Sequence, residues 1–436
     1  MKKKKKRDSG VFIALGILLA FIVIIAIVGG VYLAMAVRIQ DRENAVSKDI
    51  QDTDAIQLIQ DGEEGTAAPE KETEARAKLI AVGDNLIHKA VYDGGAKGDG
   101  TYDYTVFYRN ISAYLDEADI RVINQETIIG GDEKGFKDFP VFNTPEVIGD
   151  AVADVGFNVV LQASNHSFDM GLDGLLNAVN FWKTKHPEVT VVGIYENPDE
   201  QSEIPVLEIN GIKFALLNYT YSHNAELFST NAEGHLNMLC AYNESSRAID
   251  FNTINPQVLE DIRKAEELAD FTVVFPHWGV EYVMSATNQE INFAEQMTEA
   301  GADLIIGTHP HVIQPVEWVT AGNGNRALCY YSLGNFISAQ DGVAQMLGGM
   351  ASLTIVKDAE GTHIDEESIK AIPLVTHFVY PGWTGSTVVE STYLLNQYTD
   401  EQAAAHGLKN AWGITLTRDE LMRLAQETFG EYLSME

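Results

Sequence analysis

The sequence predicts an α/β domain of layered α+β style, preceded by one N-terminal transmembrane helix. Three observations carry this expectation. From residue 77 onward, short β-branched runs alternate with helical stretches. Five of these runs end at Asp, Glu, Asn or His. Ahead of them, residues 11–37 form an uncharged, almost wholly apolar stretch of 27 residues, longer than the ~20 that cross a bilayer core as a helix.

The N-terminal elements follow from charge. Lys2, Lys3, Lys4, Lys5, Lys6 and Arg7 precede the apolar stretch and Arg38 follows it. Such a basic cluster holds the N-terminus in the cytoplasm and places the bulk of the chain outside. Ala34-Met35-Ala36 has the form of a signal-peptidase site. The apolar stretch, however, is much longer than the ~7–15 residues of a signal-peptide core, which favours an uncleaved anchor. Either way the acidic part leaves the cytoplasm. The expected organisation is a cytoplasmic tail at 1–10, a single-pass helix at 11–37, a solvated acidic linker at 38–76, a main domain at 77–380 and a partly helical extension at 381–436.

Composition then narrows the function. Over 436 residues, 45% hydrophobic and 21% charged side chains support a sizeable core. Acidic residues outnumber basic ones 63 to 30. Residues 1–40 carry a net +6, so the remainder carries −39 of the total −33. That balance excludes the basic footprint a nucleic acid requires. Two cysteines, Cys240 and Cys329, exclude a disulfide framework, a four-cysteine zinc site and an iron–sulfur cluster, and leave one disulfide open.

Within the main domain, Thr144 reads as a cap with Pro145 opening a helix that stops at Gly156. Helical periodicity recurs at 172–185, 256–269, 289–300 (stopped by Gly301) and 416–430. The strand runs 79–82, 120–123, 158–161, 271–275 and 304–306 lead, in order, into Asp84, into Asn124 and Glu126, into Asn165 and His166, into His277, and into His309 and His311. If the five share a sheet, these side chains converge on its carboxyl edge, where open α/β sheets bind ligands. A mixed set of carboxylate, amide and imidazole suits Zn, Mn or Fe better than Ca or Mg. Two ions bridged by one carboxylate would clamp the entering and leaving oxygens of a hydrolytic displacement. A lone strand-end His is usually structural, but five such ends are hard to assign to chance.

The segments AVGDNLIH (81–88), INQET (123–127), SNHSFDMG (164–171), HWGVEY (277–282), GTHPHVIQPVE (307–317) and YSLGNF (331–336) resemble, in order, those of the capsule-synthesis protein CapA family, associated with poly-γ-glutamate. That family in turn resembles the calcineurin-like metallophosphoesterases. The resemblance covers roughly residues 77–380 and implies a metallophosphoesterase-like β-sandwich flanked by helices. It implies that Asp84 and His311 bind a first metal, that Glu126 bridges, and that Asn165, His277 and His309 bind a second. His166 would act as proton donor or substrate clamp, oriented by Asp169. The sequence departs from the usual Asp-x-His motif, since Leu86 stands two after Asp84. Either His88 reaches the first metal from one turn further on, or the site lacks that ligand. Glu126 also replaces the usual bridging Asp.

Asn124, Trp278, Glu281 and Asn335 are candidate substrate-binding residues, with core packing or a surface ion pair as the competing reading for Trp278 and Glu281. His223 and His235 fall in a segment that could lie over the site, while His186, His363, His377 and His406 have no motif context. The expected function is that of a membrane-anchored extracytoplasmic protein in synthesis, export or anchoring of an anionic capsule polymer such as poly-γ-glutamate, working as a metal-dependent hydrolase. Its partners would be the cell membrane, the polymer or a phosphoester substrate, and membrane subunits of a polymer-synthesis complex. The competing expectation is a non-catalytic metal-binding subunit or scaffold of such a complex.

Overall fold

A computed structural model describes residues 74–224, 232–243, 245–380 and 388–436. Residues 11–37 and nearly all of the linker lie outside the described residues. Among the described residues no helix is long and apolar enough to cross a membrane.

The described chain is a mixed α/β domain. Its strands are β1 (Ala75–Asn85), β2 (Ile120–Asn124), β3 (Val159–Leu161), β4 (Thr190–Val192), β5 (Val206–Ile209), β6 (Ile212–Thr220), β7 (Cys240–Asn243), β8 (Ala248–Ile254) and β9 (Phe271–His277). They continue with β10 (Leu304–Ile306), β11 (Val316–Thr320), β12 (Arg326–Tyr330), β13 (Asn335–Ile337), β14 (Leu347–Asp358), β15 (Gly361–Ile364), β16 (Lys370–Val379) and β17 (Val388–Leu394). A first sheet runs β17-β16-β14-β1-β2-β3-β4, with β13 on β1 and β15 on β14. A second runs β11-β12-β10-β9-β6-β5, and β7 and β8 form a separate pair.

The five strands that end at ligand-type residues therefore do not share one sheet. β1, β2 and β3 pair in parallel in the first sheet, while β9 and β10 pair in parallel in the second. Side-chain alternation explains how both sheets serve one site. Phe214 and Leu216 of β6, Phe271, Val273 and Phe275 of β9, and Leu304 and Ile306 of β10 enter the same core as Leu79, Ile123 and Val160 of the first sheet. The intervening Ala215, Leu217, Val274 and Ile305 enter a second core. With its inner face against the first sheet's core, the second sheet brings its own strand ends to that edge.

Helices cover the sheets. α1 (Glu146–Asp154) and α2 (Gly171–Lys185) pack apolar faces through Ile148, Val152, Leu175 and Trp182 into the first core. α3 (Pro256–Leu268) and α4 (Asn288–Ala300) supply Val258, Ile262, Phe293 and Met297 to the second. α4 starts at a capping box between Thr287 and Glu290 and stops at Gly301, whose φ of 126° suits glycine. Thr144 does not cap α1; the cap position is Pro145, and Thr144 Oγ1 instead donates to the Thr127 carbonyl at 3.1 Å. α5 (Arg418–Phe429) adds Leu421, Ala425 and Phe429 to the first core. Cys240 and Cys329 are free, buried thiols.

His377 and His406 are buried structural residues beside the first sheet's edge. The Leu408 N–H donates to His406 Nδ1 at 3.2 Å, and Nε2 lies 3.1 Å from the Thr376 carbonyl. This pair of contacts needs the neutral imidazole with its proton on Nε2. Burial lowers both pKa values to about 4. The unfolded imidazoles titrate near 6.5, so the folded state binds fewer protons than the unfolded state between pH 6.5 and 4. Stability is then full above pH 6.5 and falls as pH drops through that window, by on the order of 1–3 kcal/mol per His. Denaturant unfolding of the metal-free protein should show this loss, and His406→Gln should flatten part of it.

Candidate metal centre

The site is assembled from backbone register first. Asp84 stands opposite Asn124 on one side and opposite Asn335 on the other. In the second sheet Thr220 pairs with His277, and His277 bridges to Thr308. Asn124 Nδ2 lies 3.5 Å from His277 Nδ1, so the two sets of strand ends meet. Two glycines permit this approach. A Cβ on Gly83 would fall 1.9 Å from the Gly334 carbonyl oxygen, and one on Gly307 would fall 1.9 Å from that of Tyr331. The glycines of the Gly-Asp and Gly-Thr-His segments are thus required by close backbone contact.

The local backbone is strained at the ligand-type residues. Tyr282, His309 and His311 have φ of 67°, 99° and 58°, a region that costs non-glycine residues on the order of 1–2 kcal/mol each. The Tyr282 N–H donates to the Pro310 carbonyl at 2.8 Å, which ties the 279–283 turn to His309-Pro310-His311. The bend brings one ligand atom each from Glu126, His309 and His311 within 4.8 Å of one another, all buried.

Around that group the polar atoms interlock. His311 Nδ1 lies 3.0 Å from Asp84 Oδ2, and Nε2 lies 3.7 Å from Glu126 Oε1. His277 Nε2 is 3.8 Å from Glu126 Oε1 and 2.8 Å from Asn165 Oδ1. Thr308 Oγ1, 3.0 Å from His277 Nδ1, can accept the Nδ1–H proton and leave Nε2 as a lone-pair donor. Asn124 Nδ2 donates to Asp84 Oδ1 at 2.8 Å. Ser164 Oγ donates to the Glu126 carbonyl at 2.5 Å and fixes that residue's backbone.

The electrostatics call for a cation. Both carboxylate oxygens of Glu126, and His309 Nδ1, are buried without a hydrogen-bond partner. Burial pushes the Glu126 pKa well up, and the Asp84 carboxylate adds to the effect. Burial pushes His277 and His309 well down, so they are neutral donors. At His311 burial works downward, but Glu126 and Asp84 prevail and hold the pKa at about 9. Desolvated carboxylates, neutral imidazoles and orphaned lone pairs fit a divalent ion.

The other candidate residues divide. His166 Nδ1 lies 2.7 Å from Asp169 Oδ2, and that oxygen also accepts the Phe142 N–H at 2.7 Å. His88 stands outside the Glu126–His309–His311 group. Its Nδ1 accepts the Ala339 N–H at 3.3 Å, and burial lowers its pKa to about 4. Asn335 is buried, with Nδ2 on the His311 carbonyl at 3.3 Å. Glu281 is exposed on the rim. Trp278 lines no groove: it is fully buried in the second core, with Nε1 donating to the Tyr331 carbonyl at 2.9 Å. Strand alternation turns it to the face opposite His277. His223 rests 5.5 Å from the Phe168 ring, and His235 Nδ1 is 3.1 Å from the Tyr195 carbonyl. Two residues went unread in the sequence. The Tyr221 ring is 4.5 Å from that of His309, and Asn224 Nδ2 is 3.4 Å from both His166 nitrogens.

A proton must leave His311 before a metal takes its lone pair. Below about pH 9 that proton competes with the ion. Apparent metal affinity should therefore rise between pH 6 and 8, by about tenfold per unit for each proton displaced. Titration calorimetry in buffers of different ionisation enthalpy would read the released protons, and a pH-independent affinity would contradict this assignment.

Comparison with known proteins places the chain. The family described as "Bacterial capsule synthesis protein PGA_cap" matches residues 78–340. "Capsule biosynthesis protein CapA" of Bacillus anthracis is 30% identical over 285 residues, covering 63% of this chain and 62% of that protein. "PGA biosynthesis protein CapA" of Bacillus subtilis (strain 168) is 30% identical over 189 residues, covering 43% and 44%. The matched part thus spans less than two thirds of either relative. Among solved structures, a hypothetical protein from Thermus thermophilus aligns at 13% identity with a TM-score of 0.38, over 68% of this chain and 99% of that one. The family match runs from within β1 past Asn335 and takes in every residue of the candidate centre, and the chain belongs to the bacterial capsule synthesis protein PGA_cap family.

Proposed function

We propose that this chain is a membrane-anchored, extracytoplasmic, metal-dependent hydrolase acting in the synthesis, export or anchoring of an anionic capsule polymer such as poly-γ-glutamate. One observation carries the proposal: the fully buried Glu126 carboxylate, unsatisfied by any hydrogen bond, faces three imidazoles. The two packed sheets support reading the fold as a metallophosphoesterase-like sandwich. The basic tail and apolar stretch of the sequence support a single-pass anchor with a cytoplasmic N-terminus. Capsule biosynthesis comes from the relatives' names, and poly-γ-glutamate, the membrane and partner subunits from the family resemblance.

Asp84, Glu126, Asn165, His277, His309 and His311 would hold one or two ions of Mn, Zn or Fe. Such ions supply Lewis acidity for the attack of water on a phosphoryl or carbonyl centre. The chain's own residues handle the proton and the orientation. His166 presents Nδ1 to Asp169, which fixes the ring and leaves Nε2 toward the leaving group. Asp169 is itself held by the Phe142 N–H, which restrains the dyad. Tyr221 packs on His309, with ring centroids 4.5 Å apart, and would help hold that imidazole in place.

The test is turnover by the purified full chain, loaded with Mn, Zn or Fe, on phosphoesters and γ-glutamyl amides. His166→Ala should lower kcat by on the order of 10²–10⁴-fold while metal binding persists. In cells, Glu126→Ala and His309→Ala should abolish the polymer. Normal polymer with both variants would favour the scaffold reading.

A further inference from the structure

We propose that the hairpin tip at 138–142 is the leaving-group side of the substrate site, and that it selects substrates whose leaving group is apolar. This rests on the hydrolase reading above.

The hairpin and the proton donor form one unit. Asp169 Oδ2 takes both His166 Nδ1 and the Phe142 N–H at 2.7 Å. The Phe142 ring stands edge-on between two imidazoles, 4.7 Å from His166 and 5.3 Å from His88. Phe142 itself is buried, so the surface this unit offers to a leaving group protonated by His166 begins at Phe139.

The wall continues outward into solvent. Phe139 packs edge-on against Phe142 at 6.4 Å and is 72% exposed. Val141 and Phe136 are 43% and 40% exposed. Three of the large hydrophobic side chains left exposed in the described structure thus fall within six residues of one hairpin. The hairpin is firmly built. Asn143 accepts the Gly130 N–H at 2.9 Å and donates to the carbonyls of Gly131 and Gly135 at 2.9 and 2.8 Å. Lys137 and Asn143 exchange backbone hydrogen bonds at its base. A pinned hairpin that holds aromatics in water beside a proton donor presents them to a ligand.

Charge at the rim narrows the ligand. Exposed Asp138 lies on the hairpin itself, and exposed Glu281 and Asp341 adjoin Tyr282 and Gln340 in sequence, two residues joined by Gln340 Nε2 donating to Tyr282 Oη at 3.3 Å. Of the nearby lysines, Lys89 pairs with Asp93, and Lys134 pairs with Glu133 and the Gly130 carbonyl, leaving Lys137 at the hairpin base. An extended polyanion would meet these carboxylates before reaching the ions, whereas an apolar group would meet the Phe wall.

Phosphonates read the subsite without turnover. Phenylphosphonate and methylphosphonate share the metal-binding head and differ only in the group that mimics the leaving group. On the Mn-loaded full chain, phenylphosphonate should bind at least tenfold more tightly. Phe139→Ala should cut that ratio roughly tenfold, Phe139→Leu should restore most of it, and Trp412→Ala, a change at another exposed aromatic, should leave it intact. Equal binding of the two phosphonates, failure of both to bind, or tighter binding of a short oligo-γ-glutamate would overturn the proposal. Intact discrimination in a preparation that turns over no phosphoester or amide would support the subsite and sink the hydrolase reading instead.

Discussion

A carboxylate stripped of water and given no hydrogen bond is costly, and Glu126 carries two oxygens in that condition. The surroundings deepen the cost rather than relieve it. Asp84 lies across His311, and Glu281 adds charge from the rim. His277 and His309 stay neutral, so His311 is the one imidazole that offsets the carboxylates. A stability-driven core would not keep this arrangement, because an apolar replacement of similar volume would be at least as stable. A divalent cation held there would offset the carboxylates and take up the orphaned lone pairs of Glu126 and His309.

The fold serves that group by bringing two sheets' carboxyl edges together. Neither sheet alone holds the donor set: Asp84 and Glu126 come from the first, His277, His309 and His311 from the second. The meeting is enforced by packing, since alternate residues of β6, β9 and β10 are committed to the core the sheets share. Gly83 and Gly307 then allow backbone contact where any Cβ would collide. Strain at His309 and His311 is tolerated because the Pro310 carbonyl and the neighbouring sheet over-determine that turn.

Much of this was legible in the sequence through one regularity, apolar runs that stop at Asp, Glu, Asn or His. The runs became β1, β2, β3, β9 and β10, and the helix periodicities at 172–185, 256–269, 289–300 and 416–430 became α2 to α5. The division of the strands between two sheets was not legible, because a buried parallel strand shows no pattern that names its neighbours. Trp278 misled for a related reason: adjacency to His277 in sequence places a strand residue on the opposite face. Tyr221, Asn224 and the Phe142 wall were missed because aromatics and amides are common in loops, and only tertiary contact distinguishes these. The apolar stretch at 11–37 falls outside the described residues.

The central claim is that the strand-end cluster is a metal centre. Its most direct test is metal content by mass spectrometry on the purified full chain, after reloading with Mn, Zn or Fe, beside Glu126→Ala and His309→Ala. About one to two equivalents of a transition metal, lost in both variants while they remain folded, is the result the account predicts. A folded protein that retains no metal after reloading would contradict it.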